Sequence, residues 1–126
     1  MCASQRKVKV TCVSLEKLKD AYTLLRQFKE HRLLAGTEIN NGQIELFRLL
    51  CADLIPTEEF AVERLESLIL RIAKVDTVWN KKSQVTIDAI YALREAGKTK
   101  DAITRVSEFV AECPSVWYCN IVKSIH

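Results

Sequence analysis

The sequence predicts an all-α chain, antiparallel helix hairpins stacked as a short α-solenoid of about six helices, and three observations carry that expectation. Breakers are scarce, with 3 Gly and 2 Pro in 126 residues. Leu, Ala, Glu, Lys and Arg are plentiful, and they lose little rotamer freedom in a helix. Apolar residues recur at three- and four-residue intervals, the spacing of one helix face, and a helix-sized pattern returns after about forty residues, as in stacked helical repeats.

The stretch Arg6-Lys7-Val8-Lys9-Val10-Thr11-Cys12-Val13 alternates, but nothing obvious offers it a second strand. Residues 1–13 therefore read as an irregular basic arm and residues 14–126 as one helical-repeat domain, whose 48% hydrophobic content fills a core without staples. Ser14 suits an N-cap, and Leu15, Leu18, Tyr22, Leu25 and Phe28 form one face of a first helix running to about Leu34 and ended by Gly36. After turn or cap residues Asn40 and Asn41, a second helix carries Ile44, Phe47, Leu50, Cys51 and Leu54, and Pro56 stops it. Thr57 is expected to cap a third helix, with Glu58 and Glu59 near its positive end and a stripe of Ala61, Val62, Leu65, Leu68, Ile69 and Ile72. Residues 76–82 read as a loop.

Ser83 then caps a fourth helix with Ile87, Ile90, Tyr91 and Leu93 inward, closed by Gly97 where a left-handed residue is cheap. Thr99 caps a fifth, carrying Ala102, Ile103, Val106, Phe109 and Val110 to an end at Cys113 and Pro114. Ser115 caps a short sixth helix.

Residues 19–28 and 100–109 align without gaps and share Lys, Asp, Ala, Thr and Phe. Ala61-Val62 with Leu65 and Leu68 repeats the small-apolar pattern between them, so Ala21, Ala61 and Ala102 stand 40 and 41 residues apart. A small residue suits a place where two helix axes cross closely. Pro56 and Gly97 each precede their alanine by five residues, which puts the hairpin turns in register. Within residues 85–116, Ile90, Leu93, Ala96 and Gly97, followed by Lys98, Lys100, Asp101, Ala102, Ile103, Val106, Phe109 and then Pro114, resemble a tetratricopeptide or pentatricopeptide unit. The resemblance implies stacked helix hairpins with a binding role. In a pentatricopeptide unit the base-reading positions aligned by Gly97 are Ile87 and Asp88, of which only Asp88 is polar.

The repeat begins and stops mid-unit, so the last helix offers Trp117, Tyr118, Ile121, Val122 and Ile125 as a surface for a protein partner, a missing repeat or a second copy. Charge is uneven: residues 1–34 hold eight Lys/Arg against three Asp/Glu, and residues 35–76 hold four against eight. A basic first third suits an acidic partner or phosphates.

Chemistry is sparse. His31 and His126 have no partner at metal or nucleophile spacing, the three glycines form no phosphate loop, and the five cysteines match no metal finger. The cysteines read as reduced thiols of a cytoplasmic or nuclear protein. No leader is visible, and no apolar run approaches the ~20 residues of a membrane span. The expectation is a protein–protein interaction module of a larger scaffold or regulatory protein, with no enzymatic activity, cofactor or metal. The alternative is an RNA-binding repeat in which Arg6, Lys7, Lys9, Lys81, Lys82, Lys98 and Lys100 meet phosphates and Trp79 or Tyr118 stacks on bases.

Overall fold

The computed structural model describes residues 15–31 and 39–125. The expected basic arm, the end of the first helix beyond residue 31 and Gly36 lie outside them. Five α-helices form among the described residues: α1 Leu15–His31, α2 Asn41–Leu54, α3 Leu65–Glu95, α4 Thr99–Glu112 and α5 Val116–Lys123. α1 and α2 pack together, α4 folds back along α3, and α5 packs against both α3 and α4.

α1 buries Leu18, Ala21, Tyr22, Leu24, Leu25 and Phe28, the expected face widened by Ala21 and Leu24, whereas Leu15 at its start is exposed. α2 opens with a capping box: the Gln43 amide donates to Asn40 Oδ1 at 2.8 Å and the Asn40 amide to Gln43 Oε1 at 3.0 Å. These two bonds satisfy donors that the helix start would otherwise leave open. The Ile55 amide closes the helix on the Cys51 carbonyl just before Pro56.

The third helix corrects the sequence expectation at both ends. It begins at Leu65, after a 3₁₀ turn over Val62–Arg64, rather than at Thr57, and Ala61 is extended with φ −143° and ψ 133°. Glu58 faces no helix dipole; it pairs with Arg64 at 3.4 Å and Arg71 at 3.2 Å and pins the segment after Pro56. At the other end, residues 76–82 are helix, so the expected third and fourth helices are one element of 31 residues. The inward positions explain the continuity: Leu68, Ile69, Ile72, Asp76, Ser83, Thr86 and Ile90 are buried, with Trp79 packed against the core. Steps of three and four residues run unbroken from Ile72 to Ile90, and no Gly or Pro lies between Pro56 and Gly97. Ser83 is mid-helix, its hydroxyl donating to the Asn80 carbonyl at 2.8 Å. Tyr91, expected inward, is exposed.

Gly97 closes α3 as expected, with φ +77°. Its amide donates to Arg94 O at 3.0 Å and the Lys98 amide to Leu93 O at 2.8 Å, the paired bonds of a Schellman end. A Cβ at Gly97 meets nothing within 4 Å, so replacing the glycine tests the backbone alone. Gly97→Ala is expected to cost about 1 kcal/mol, read as a lower urea midpoint at unchanged slope.

α4 starts at Thr99 itself, without a side-chain cap, and α5 is capped by Ser115, whose Oγ accepts from the Tyr118 amide at 3.1 Å. The two segments aligned in the sequence fall on α1 and α4, where Ala21 and Ala102 are buried. Their middle counterpart, Ala61, is not in a helix.

Candidate functional site

The functional surfaces grow from the way α5 is held. Asp53, near the end of α2, is 7% exposed and accepts three hydrogen bonds. Tyr22 Oη donates to Oδ2 at 2.6 Å, Ser115 Oγ to the same oxygen at 2.7 Å, and the Val116 amide to Oδ1 at 2.7 Å. The carboxylate thus sits at the positive end of α5 and satisfies a donor that the helix start leaves open. A second buried carboxylate, Asp76 in α3, accepts from Tyr118 Oη at 2.5 Å and from Lys29 Nζ at 2.6 Å.

Burial and then the Asp53 charge push the Tyr22 phenol far above its ordinary range, and burial followed by the bond to Asp76 does the same to Tyr118. Both phenols are therefore protonated donors holding the two carboxylates. Trp117 stacks on Tyr22 with ring centroids 5.1 Å apart. Together these contacts join α1, α2, α3 and α5.

Two hollows flank the middle of α3. One, of about 400 Å³, lies between α1, α3 and α5 and is lined by Arg26, Lys29, Asp76, Asn80 and Trp117 among others. Its Lys29 is bound to Asp76 and to Thr77 Oγ1 at 3.0 Å.

The other hollow, of about 530 Å³, is a groove between α3 and α4. Lys81, Lys82, Val85 and Thr86 line it from α3, and Arg105, Glu108, Phe109 and Glu112 from α4. Phe109, at the floor, is 4% exposed and is backed by Trp79, which it meets edge to face at 5.8 Å. Lys82 Nζ lies 4.8 Å from the Trp79 ring centroid.

The structure redistributes the residues singled out in the sequence. Tyr118 and Val122 are buried within the chain and cannot form a partner surface, because α5 is packed on its neighbours rather than left open. Trp117, Ile121 and Ile125 are half-buried against the same core. Of the proposed phosphate contacts, Lys81 and Lys82 share the groove, whereas Lys98 and Lys100 are exposed at the turn joining α3 to α4. Arg6, Lys7 and Lys9 lie outside the described residues. Trp79 is engaged with Phe109 and Lys82, and the Tyr118 ring meets Tyr22 edge to face.

Asp53, Asp76, Arg105, Glu108 and Glu112 were not singled out as site residues. For Asp76 a signal existed, since it continues the inward spacing of Ile72 and Trp79. Among the described residues, no group of three or more His, Cys, Asp or Glu is placed to hold a metal ion, and no helix is long and apolar enough to cross a membrane. Compared with protein-family models, curated proteins and solved structures, the chain shows no significant match.

Proposed function

We propose that this chain is a protein-interaction module whose α3–α4 groove receives an amphipathic helical segment of a partner. The mixed charge of the groove carries this reading. Glu108 and Glu112 stand on α4 beside Arg105, across from Lys81 and Lys82 on α3, with exposed Val85 and the Phe109 floor between them. A polyanion would meet two carboxylates there. A helix with an apolar stripe and charges of both signs meets a complement to each. Among the described residues, Lys98 and Lys100 sit at the far turn and Lys29 is held by Asp76, so none of these three extends the groove into a continuous phosphate track. The identity shared by α1 and α4 around buried Ala21 and Ala102 fits a helical-repeat ancestry for such a module.

The test places a photo-crosslinking amino acid at residue 85, in the groove, and separately at residue 70 on the exposed side of α3. In an RNase-treated extract, a discrete protein adduct is expected at residue 85 and not at residue 70. Glu108→Lys with Glu112→Lys is expected to abolish it. An adduct that disappears with RNase would overturn the proposal. So would steeply salt-dependent binding of single-stranded RNA by the purified chain that Lys81→Glu with Lys82→Glu removes; either result selects the RNA-binding reading.

A further inference from the structure

Where α4 gives way to α5, two free thiols flank the connection. Cys113 is the residue that closes α4, its amide bound to Phe109 O, and Cys119 lies in the N-terminal half of α5. Cys119 Sγ is 3.5 Å from the Cys113 carbonyl oxygen and 3.8 Å from that of Val110, while Cys113 Sγ is 3.9 Å from Ser115 O. The Cys119 sulfur therefore rests against the residue that carries the second thiol.

The rest of the fold gives this pair no function. The latch that holds α5 uses Asp53, Ser115 and the tyrosines instead. Cys51, by contrast, is a core thiol at 1% exposure whose Sγ lies 3.9 Å from Glu58 O.

We propose that Cys113 and Cys119 form an oxidisable dithiol that closes to an intramolecular disulfide when hydrogen peroxide reaches it. At 7% and 8% exposure the pair admits a small neutral oxidant more readily than a bulky disulfide. The Cys119 sulfur attacks peroxide, the O–O bond breaks, and a sulfenic acid and one water result. The Cys113 sulfur then attacks the sulfenic sulfur and expels a second water. Each cysteine sulfur gives up one electron overall, and peroxide is reduced to two waters.

Cys119 is the thiol oxidised first. The neighbouring Cys113 side chain holds the Cys119 thiol below its ordinary range against the burial that opposes it, and Lys123 one turn along α5 adds to this. The same neighbourhood, with burial, pushes the Cys113 thiol up as the resolving partner. The bridge would tie the start of α5 to the end of α4, and with it the Trp117 and Tyr118 walls of the α1–α3–α5 hollow.

The full chain with Cys2→Ser and Cys12→Ser, treated with hydrogen peroxide and then denatured and alkylated, provides the test. Trypsin leaves both cysteines on the single peptide 106–123 and Cys51 on another. The expected result is a 106–123 peptide lighter by about 2 Da, the two thiol hydrogens lost to the bridge. It should be closed to alkylation until a reductant is added, while Cys51 is alkylated as in untreated protein.

Alkylation of all three cysteines, a bridge to Cys51, or sulfinic acid without a bridge would overturn the proposal. In Cys113→Ser, dimedone is expected to label Cys119 as a stalled sulfenic acid, and in Cys119→Ser it leaves Cys113 unlabelled. The reverse pattern would overturn the order of attack. The peptide map needs neither of these two variants, so it stands even where one of them fails to fold.

Discussion

Asp53→Ala is expected to lower the unfolding free energy by about 3–5 kcal/mol, since three donors at a buried site lose their acceptor together at about 1–3 kcal/mol each. Tyr22 Oη, Ser115 Oγ and the Val116 amide would each lose their acceptor, and Asp53 is too buried for water to replace it without rearrangement. Tyr22 and Ser115 approach each other only at 3.5 Å, so they offer poor mutual compensation. Asp53→Asn keeps the volume and one acceptor oxygen, and about 1–2 kcal/mol is expected for it.

The loss should be uneven in space. Hydrogen-exchange protection in α5 falls first, because Asp53 ties that helix to α2 and its first amide is among the freed donors. A urea midpoint for Asp53→Ala within experimental error of the parent protein would show that Asp53 does not latch α5.

That latch also marks the boundary of what one sequence discloses. Part of the chain punctuation is local and readable: Asn40 and Ser115 cap helices, Pro56 follows one, and Gly97 ends another with the positive φ expected of it, whereas Thr57, Ser83 and Thr99 cap none. Each of those effects depends on a residue and its few chain neighbours. The Asp53 cluster is not local, since its side-chain partners stand 31 and 62 residues away. No periodicity in α2 distinguishes a buried acid with three donors from a solvated one.

What covers Tyr118 and Val122 in α5 is non-local as well. An apolar last helix suggests an open repeat end, although Tyr118 and Val122 are covered by the chain itself. Polarity also misled the reading at residues 76–82, where Asp76 is an inward position because Lys29 and Tyr118 reach it from α1 and α5. A buried carboxylate with such partners continues a helix face as well as an aliphatic residue does. The groove was partly legible through Lys81, Lys82 and Phe109, but its acidic wall depends on which turn of α4 stands beside which turn of α3.

Val78→Pro separates one continuous α3 from two helices joined by a loop, and it is expected to cost about 3 kcal/mol or more. Val78 lies inside the polar stretch and is 47% exposed, so the substitution removes little packing. Its effect comes through the backbone. Proline takes away the amide that bonds four residues back and sets its ring against that carbonyl. A loop would absorb the change, whereas a helix interior cannot.

Val78→Ala, expected within about 0.5 kcal/mol of the parent, isolates the side-chain contribution. The consequences of the proline should extend beyond local fraying, because the two halves of α3 hold different neighbours. Asp76 is bound to Lys29 and Tyr118, while Trp79, one residue beyond Val78, packs on Phe109. A break between them removes the rigid element through which α1, α4 and α5 keep their relative positions. Far-ultraviolet dichroism should therefore lose more signal than a few residues of helix account for, and the urea transition should broaden. A proline variant with the parent's midpoint and helicity would restore the loop at residues 76–82.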